Sequence, residues 1–317
     1  MNPAQSPTTS SAQNHGLALG ALGVLIFALT LPMTRLAVGP AEAPQLPPAF
    51  VTAGRAALAG LLSVAYLLAV RAPWPARRHW PVLALSALGT VWGFPMSLAL
   101  ALREVAAAHA AVVTGLMPLA TAALGALVLR QRPSNGFWAC ALLGAGLVVV
   151  FAAWEGGGHL SAGDGWLLLA VAFTAVGYVA GARVAADLPA PQVICWVLVL
   201  SLPFTLPATA VTWPTAAVRP SAWLGFVYVS LFSMWLGFFA WYRGLALGGL
   251  VRVSQVQLVQ PFLALLFAVP LLGEPLSART VGFALAVVAV VFIGKRMPVH
   301  PPASTPNAPN APRTASP

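Results

Sequence analysis

The sequence predicts an all-α integral membrane protein with ten transmembrane helices in two inverted five-helix repeats. Three observations indicate this fold: an apolar composition, ten long apolar runs, and a pattern that recurs at a fixed shift along the chain. Of the 317 residues, 59% are hydrophobic and 7% are charged, and the mean hydropathy is +0.86. A soluble domain carries about 25% charged residues, so lipid must solvate most of this chain.

Ten apolar runs account for the predicted helices. A helix rises about 1.5 Å per residue, so about 20 apolar residues cross the ~30 Å hydrocarbon layer. The short alternating segments of a β-barrel are absent. Pro203 and Pro207 interrupt the seventh run, which membrane helices tolerate where neighbours satisfy the freed carbonyls. In chain order the predicted spans are 16–37, 48–70, 80–101, 105–128, 136–154, 163–185, 191–212, 221–243, 250–272 and 278–295.

The two ends of the chain are polar. Residues 1–15 lack a basic segment and no A-x-A-like cleavage site follows the first run, so we interpret that run as a retained helix rather than a signal peptide. The last residues, rich in Pro, Ala, Ser and Asn, have too little apolar content to pack. We expect disordered tails at 1–15 and 297–317, and repeats at 16–154 and 163–296.

The positive charge of the chain predicts its orientation. The formal net charge is +10 and the pI is about 11.3. Lys and Arg concentrate in the short cytoplasmic loops of membrane proteins. With both termini in the cytoplasm, only Arg35, Arg103, Arg219 and Arg279 fall on the outer side. The basic residues on or beside cytoplasmic connections are Arg71, Arg77, Arg78, Arg130, Arg132, Arg183, Arg243, Arg252, Lys295 and Arg296.

The same composition limits the expected partners. In a soluble protein this charge would indicate nucleic acid, but here we expect the lipid bilayer and a small-molecule substrate, with a homodimer as one assembly state. Cys140 and Cys195 both lie inside apolar runs and form no CxxC pair. We therefore expect no metal site, no disulfide and no cofactor.

A repeat relates the two halves of the chain. Residues 116–134 read LMPLATAALGALVLRQRPS, and residues 259–277 read VQPFLALLFAVPLLGEPLS; in each, a proline opens an apolar run that a serine closes. The shift from Pro118 to Pro261 is 261 − 118 = 143 residues. Five spans precede the midpoint near residue 158 and five follow, so the second half enters the membrane from the opposite side. The same shift pairs Ser134 with Ser277, Thr114 with Gln257, and Trp92 with Trp235.

Glu274 stands where the first half has Gln131, between Arg130 and Arg132. Basic clusters favour the inner side of the membrane, so this difference agrees with opposite insertion of the two halves. We expect Glu274 to cap a helix end at the membrane surface near the following N-terminus, where Ser277 is the N-cap. A coupling role for Glu274 is the alternative.

The paired pattern resembles the drug/metabolite transporter superfamily, and within it the ten-helix EamA-type transporters of bacterial inner membranes. Arg55 also sits where members often carry arginine. The first half has Arg130-Gln131 where the family usually has Gly-Glu. The residues that carry the resemblance, which covers about residues 16–296, are Ala108, Ala111, Pro118 and Ser134 in the first half and Pro261, Gly273, Glu274, Ser277 and Gly282 in the second. It implies alternating access, with helices 3, 4, 8 and 9, joined by 1 and 6, around a central cavity.

The candidate substrate-binding residues are polar or aromatic groups deep in the spans, where such groups usually face protein or a cavity. Each has a structural alternative. Thr114, Gln257 and Gln260 either face substrate or bond neighbouring helices. Trp92, Trp235 and Tyr178 either line the cavity or, for the two tryptophans, form part of the aromatic belt at the membrane surface.

Three further candidates depend on backbone or charge. Pro118 and Pro261 either expose backbone carbonyls near the site or only kink their helices. Arg55 lies seven residues past Pro48, roughly 10 Å into its helix. It either snorkels to the surface or binds a carboxylate or phosphate of the substrate.

The missing motifs narrow the function. No Walker A motif is present to drive transport with ATP, and no G-x-S-x-G, H-E-x-x-H or intramembrane acid pair indicates an enzyme. We therefore expect a secondary, non-ATP transporter that is not an enzyme and that exports small metabolites such as amino acids or amphipathic drugs by alternating access. A membrane scaffold or sensor is the alternative. Facilitated diffusion, or coupling through groups at helix ends, is expected because every acidic residue maps to a loop or helix end: Glu42, Glu104, Glu155, Asp164, Asp187 and Glu274.

Overall fold

The computed structural model describes residues 10–128, 130, 132–185, 187–248, 253 and 256–300. Among these residues, nine helices are long and apolar enough to cross a membrane, and a tenth apolar helix is shorter. The predicted all-α membrane fold is confirmed. The ten helices are α1 (Gln13–Val38), α2 (Pro48–Ala69), α3 (Arg77–Glu104), α4 (Ala107–Val128), α5 (Asn135–Glu155), α6 (Ala162–Val184), α7 (Pro191–Val211), α8 (Pro220–Leu245), α9 (Gln257–Leu272) and α10 (Ala278–Arg296).

The two prolines that interrupt the seventh predicted span do not break its helix. Pro203 and Pro207 both lie inside α7, which stays one continuous helix and packs along α2. The start of the predicted span 250–272 lies largely outside the described residues, as do Gln131 and Arg252.

The boundaries differ from the sequence prediction at both ends of the described chain. Helical structure leading into α1 begins at Ser10, because the segment before the apolar run contains good helix formers such as Ala12 and Gln13. Near the other end, β2 (Val299–His300) pairs antiparallel with β1 (Arg132–Pro133). Residues 10–15 and 297–300 are therefore corrections to the predicted tails, whose remaining residues lie outside the described part of the chain.

Helix packing follows an exchange of the two halves. Helices α2 and α7 pack together, as do α4 and α9, and α5 and α10. The pairing of α1 with α8 corresponds to the pairing of α6 with α3. Replacing each helix by the one five places away therefore returns these five pairings, as expected for two related five-helix units.

Glycines allow the closest crossings. A Cβ added to Gly89 on α3 would lie 2.5 Å from the backbone nitrogen of Gly177 and 2.5 Å from the carbonyl oxygen of Phe173, both on α6. A Cβ on Gly244 of α8 would lie 2.6 Å from the backbone nitrogen of Gly20 on α1. Small residues permit such backbone contact between membrane helices.

Both α3 and α8 contain a π-helical segment. These segments are Leu88–Gly93 and Val229–Leu236. Shifting the first by 143 residues gives 231–236, which falls inside the second. π-helical turns are rare and occur often at functional sites, so their presence in two related helices indicates that the functional site lies near these segments.

The bundle has two distinct ends. We call the end that carries the α1–α2, α3–α4, α5–α6, α7–α8 and α9–α10 connections the Glu274 end, and the opposite end the Gln257 end. At the Glu274 end, the Arg219 backbone N–H donates to Oε1 of Gln45 at 3.0 Å. At the Gln257 end, Arg78 and Asp187 form an exposed ion pair at 3.1 Å.

Candidate substrate cavity

A central cavity of about 70 Å³ lies among the helices. Its walls come from α1, α3, α4, α6, α8 and α9, with Arg55 from α2 and Val288 from α10. A space of this size holds a few water molecules, so a metabolite enters only if the helices part. Members of both apolar core clusters, such as Leu31 and Met234, reach its wall.

The lining consists largely of positions related by the repeat. At a shift of 143 residues, six positions on the first half and six on the second both line the cavity. The cavity therefore lies on the approximate symmetry axis of the molecule. The related pairs are Leu31 and Thr174, Thr90 and Ser233, Thr114 and Gln257, Gly115 and Leu258, Met117 and Gln260, and Pro118 and Pro261.

Arg55 brings a buried positive charge to this cavity. The residue is 2% exposed, so it does not snorkel to the surface. Its Nη2 donates to Oγ of Ser233 at 3.2 Å, and that hydroxyl also shares a hydrogen bond with Oγ1 of Thr30 at 2.8 Å. Within the part of the chain that the structure describes, the Nε and Nη1 atoms of Arg55 have no hydrogen-bond partner.

Local packing explains how Arg55 is held. Its helix α2 begins with Pro48 at the first helical position and lies close against α7, where a Cβ on Gly60 would meet the Leu198 carbonyl oxygen at 3.3 Å. Beside Arg55, the ring of Phe226 lies 3.0 Å from the Cβ position of Gly54. These contacts fix α2 between α7 and α8 and bring the guanidinium to Ser233 in the π-helical segment of α8.

No acidic residue balances this charge. All six acidic side chains of the chain lie within the described residues, and none of them lines the cavity. Burying an unpaired charge is unfavourable. The guanidinium is thus a buried cation beside the cavity with no carboxylate partner among the described residues.

The threonines and glutamines differ in their free hydrogen-bonding capacity. Thr90, Thr114 and Thr174 donate their hydroxyls to carbonyl oxygens one turn earlier in their own helices, at 2.7–2.8 Å. Their oxygens can still accept. Gln260, by contrast, has a buried Oε1 that finds no hydrogen-bond partner among the described residues. The half-buried Gln257 lies on the same helix.

The cavity brings most of the predicted site residues together. Arg55, Thr114, Tyr178, Gln257 and Gln260 line it, and both helix-breaking prolines, Pro118 and Pro261, do as well.

Trp92 and Trp235 do not line the cavity. Both pack at the edge of an apolar cluster, and the Trp235 ring lies 4.8 Å from that of Phe239. Each lies in a π-helical segment, where an extra residue per turn rotates the following side chains away from the face that a regular helix predicts. Ser233 and Met234 face the cavity instead.

Several lining residues were outside the predicted set. They include Thr30, Thr90, Thr174 and Ser233, along with the rings of Phe27, Phe94 and Phe238. A usable signal existed for two of them, because Thr90 and Ser233 are hydroxyl residues at repeat-related positions deep in a span.

Glu274 caps a different helix from the one that the sequence predicts. Its Oε1 and Oε2 accept hydrogen bonds from the backbone N–H groups of Ala107 and Ala108, each at 2.8 Å, in the first turn of α4. The following helix α10 is capped by Ser277, as predicted, which accepts from the Thr280 N–H at 3.0 Å. A carboxylate at a helix N-terminus is stabilising, so the capping role holds while its partner is corrected.

A second carboxylate holds the same helix end. Nε2 of His109 on α4 lies 2.6 Å from Oδ1 of Asp164, and both side chains are nearly buried. Asp164 also forms a capping box with Ser161 at the start of α6. Two acidic residues from the second half thereby fix the N-terminus of α4.

The chain has a second pocket, away from the central cavity. A pocket of about 270 Å³ opens at the Glu274 end, lined in part by Arg35, Arg219 and Glu274. Within the described ranges, no cluster of three His, Cys, Asp or Glu side chains is arranged to hold a metal ion.

The chain is similar to a family of transporters and to two proteins that are named as transporters. The model of the EamA-like transporter family matches residues 14–152 and 161–294. The chain is 44% identical over 284 residues to the uncharacterized transporter YdeK of Bacillus subtilis (strain 168), covering 89% of this chain and 97% of the relative. It is 24% identical over 273 residues to the uncharacterized transporter sll0355 of Synechocystis sp. (strain ATCC 27184 / PCC 6803 / Kazusa), covering 78% and 82%.

A solved structure, titled "Crystal structure of protein", has the same fold. Its TM-score is 0.60 at 22% sequence identity, and the match covers 89% of this chain and 98% of that chain.

Proposed function

The chain belongs to the EamA-like transporter family, within the drug/metabolite transporter superfamily, and on that premise we propose that it is a secondary exporter of small amphipathic metabolites. It is a multi-pass membrane transporter, as its relatives are named. The proposed substrates are amino acids or drugs, moved without ATP by alternating access between the two halves. The observation that carries this proposal is the central cavity, lined by repeat-related residues and by an unpaired arginine.

The two ends of the cavity support alternating access. Toward the Glu274 end, α4 is tightly packed, with Ala110, Ala111 and Val112 fully buried. Toward the Gln257 end, Pro118 and Gln257 are half-buried. The described state is therefore closed more firmly at the Glu274 end, and transport requires the opposite state in which that end opens.

The helices that move have suitable mechanics. The α3–α6 and α1–α8 crossings make backbone contact through glycines, which lets each pair move as a unit. The π-helical segments in α3 and α8 place irregular backbone beside the cavity. We propose that α1–α8 and α3–α6 rock as two rigid pairs about α4 and α9.

The proposed orientation places the Gln257 end in the cytoplasm of a bacterial inner membrane. The connections at that end carry Arg71, Arg77 and Arg78, and the C-terminal turn of α10 carries Lys295 and Arg296. This excess of basic residues favours the inner side. Both termini are then cytoplasmic, and export means loading from the Gln257 end and release at the Glu274 end.

The wall chemistry supports an amphipathic substrate. Phe27, Phe94 and Phe238 give an aromatic surface, and Met117 and Met234 are flexible apolar groups that adapt to different shapes. A few polar groups among an apolar lining are typical of small-molecule sites.

Flux in reconstituted liposomes tests the proposed function. Radiolabelled amino acids and an amphipathic drug would be offered to liposomes with the wild-type protein, with Met117→Trp, which fills the cavity, and with Leu142→Trp. Leu142 is 74% exposed on α5 and serves as the matched control. We expect flux from the wild type and Leu142→Trp and its loss in Met117→Trp. Absence of flux for every compound in all three samples would indicate a scaffold or sensor.

The proposed energetics is facilitated diffusion. The cavity contains no acidic residue to carry a proton, which is the group that pumps commonly use. Substrate accumulation that depends on an imposed pH gradient, and that disappears with the gradient, would contradict this part of the proposal.

A further inference from the structure

Building on the proposed transport function, we propose that the substrate is an organic monoanion whose carboxylate binds Arg55. Its apolar body then lies against the aromatic wall. The described lining offers a buried cation to a negative group of the substrate and no carboxylate to a positive one.

Arg55 has unused hydrogen-bond donors. A guanidinium has five N–H donors, and within the described part of the chain the contacts of this one satisfy Nη2 alone, through Ser233. The Nε and Nη1 atoms are buried and have no partner among the described residues. Because the planar guanidinium matches a carboxylate with two parallel hydrogen bonds, a carboxylate in the cavity would satisfy atoms that the protein leaves open.

The net charge of the cavity lining also favours a monoanion. Among the described residues that line the cavity, only Arg55 carries a side chain that is charged at neutral pH, so this lining contributes one positive charge. A monocarboxylate neutralises it. A zwitterionic amino acid would bring an ammonium group for which the described lining has no carboxylate, and a cation would be repelled.

The two repeats differ at the position of this arginine. The position related to Arg55 by the 143-residue shift is Leu198 on α7, which is completely buried in an apolar cluster. The site therefore has one cationic anchor rather than two, which matches one carboxylate rather than a dicarboxylate.

Aromatic rings in the same cavity provide an apolar surface for the body of the substrate. The rings of Phe27 and Phe238, 5.2 Å apart between centroids, lie in the same cavity as Arg55. Ser233 accepts from the guanidinium and is itself hydrogen-bonded to Thr30, and both hydroxyls can turn to a bound carboxylate. An aromatic or branched aliphatic acid fits this combination.

Transport of a monoanion also explains export without a coupling ion. An inside-negative membrane potential of 100 mV favours outward movement of one negative charge by a factor of about 50 at equilibrium. Facilitated diffusion through this site would thus expel the acid against its concentration gradient.

Three compounds with the same phenylethyl body test the charge requirement: 3-phenylpropionate, phenylalanine and phenethylamine. Binding is measured as the ligand-induced rise in the melting temperature of the detergent-solubilised full chain. We expect the wild type to bind 3-phenylpropionate at least tenfold more tightly than phenylalanine and to show no response to phenethylamine. Equal or stronger binding of phenethylamine, or no binding of 3-phenylpropionate, would overturn the proposal.

Variants identify the group responsible. Arg55→Gln and Arg55→Leu should each lower the affinity for 3-phenylpropionate at least tenfold, and Arg55→Lys should retain part of it. The leucine variant copies the residue that already packs at the related position 198, so a folded protein is expected even if the glutamine variant is unstable. Arg77→Gln, at an exposed arginine of the Gln257 end, is the matched control and should bind as the wild type does. Unchanged affinity in the folded Arg55→Leu variant would overturn the proposal.

Liposome flux separates this proposal from the transport function. Uptake of 3-phenylpropionate driven by an inside-positive potassium–valinomycin potential, together with potential-independent behaviour of phenylalanine, is the expected result. If the acid binds through Arg55 but no compound crosses, the transport function fails and the anion site stands. If phenethylamine crosses and Arg55→Leu has no effect on it, the anion site fails and transport stands.

Discussion

Position 55 on α2 carries an arginine, whereas the related position 198 on α7 carries a leucine, and both side chains are buried. Cavity positions 117 and 260 differ in the same way, with Met117 in the first half and Gln260 in the second. The scaffold around them is closely matched: each half has a π-helical segment, a proline at the cavity and a serine that caps its fifth helix. In this repeat, the shared positions build the framework and the unmatched positions carry the chemistry.

The comparison suggests why a duplicated protein would lose its exact symmetry. A cavity with identical groups on both sides would bind a polar substrate in two opposite poses. With one arginine on one side and glutamines on the other, the site distinguishes the two ends of a substrate. Variants can test whether the two halves are equivalent in packing, or whether they differ in the chemistry that they bring to the cavity.

The largest effect is expected at the glycine crossings. Gly89→Ala would place a methyl group 2.5 Å from backbone atoms of α6 that cannot move separately from their helix. We expect a loss of about 3 kcal/mol in the free energy of unfolding, measured as a lower melting temperature in detergent.

Two further glycines complete that test. Gly244→Ala at the α8–α1 crossing should have a similar effect if the two halves are equivalent in packing. Gly146→Ala on α5 is the control, because no atom lies within 4 Å of its added Cβ, and it should be neutral or slightly stabilising. Tolerance of alanine at position 89 but not at 244 would break the equivalence of the scaffold.

The next effect is expected at Glu274, which has no acidic counterpart in the first half. Glu274→Ala removes two hydrogen bonds to the first turn of α4. We expect a loss of about 1–2 kcal/mol, because a partly exposed carboxylate at a helix N-terminus contributes about that much.

The same variant should shift the conformational equilibrium. A cysteine placed at Val113, which is completely buried, should become more reactive toward a membrane-impermeant maleimide added from the Glu274 side. The test requires a background without Cys140 and Cys195. Glu155→Ala, at the exposed end of α5, is the control. Equal labelling in all samples would mean that Glu274 stabilises α4 without keeping that end closed.

Arg55→Leu sharpens the chemical comparison because it makes the first half resemble the second. Replacing an unpaired buried charge by an apolar side chain is neutral or stabilising, so we expect a gain of about 1 kcal/mol in the absence of substrate. Thermal unfolding of the ligand-free variant beside the wild type measures it. A marked loss of stability would show that the guanidinium has a structural partner that compensates its burial.

The smallest effects are expected at the paired helix caps. Ser134 and Ser277 each accept a hydrogen bond from the backbone N–H three residues later. Alanine at either position should cost about 0.5–1 kcal/mol, and the two losses should be alike and additive because the caps lie at opposite ends of the bundle. Unequal losses in thermal unfolding would reveal a further role for one of the serines.

The sequence predicts much of the scaffold because lipid requires apolar runs of a minimum length. The shift between Pro118 and Pro261 likewise identifies residues that meet at the cavity. The prediction of a cavity position fails at Trp92 and Trp235, since both lie in π-helical segments, whose wider turn changes which side chains face the cavity. The environment of Arg55 also depends on Ser233 and Thr30, which other helices bring to it, so the depth of Arg55 in the membrane is predictable from the sequence and its contacts are not.

The bond between Glu274 and the first turn of α4 has a consequence for how the protein is made. The two residues that it joins, Ala107 and Glu274, are 167 positions apart. The ribosome delivers α4 to the membrane long before it has synthesised the loop that completes the helix. During that interval the leading amides of α4 must be satisfied by water or by lipid headgroups, and the early half of the molecule acquires its final fastening only when nearly the whole polypeptide has been inserted.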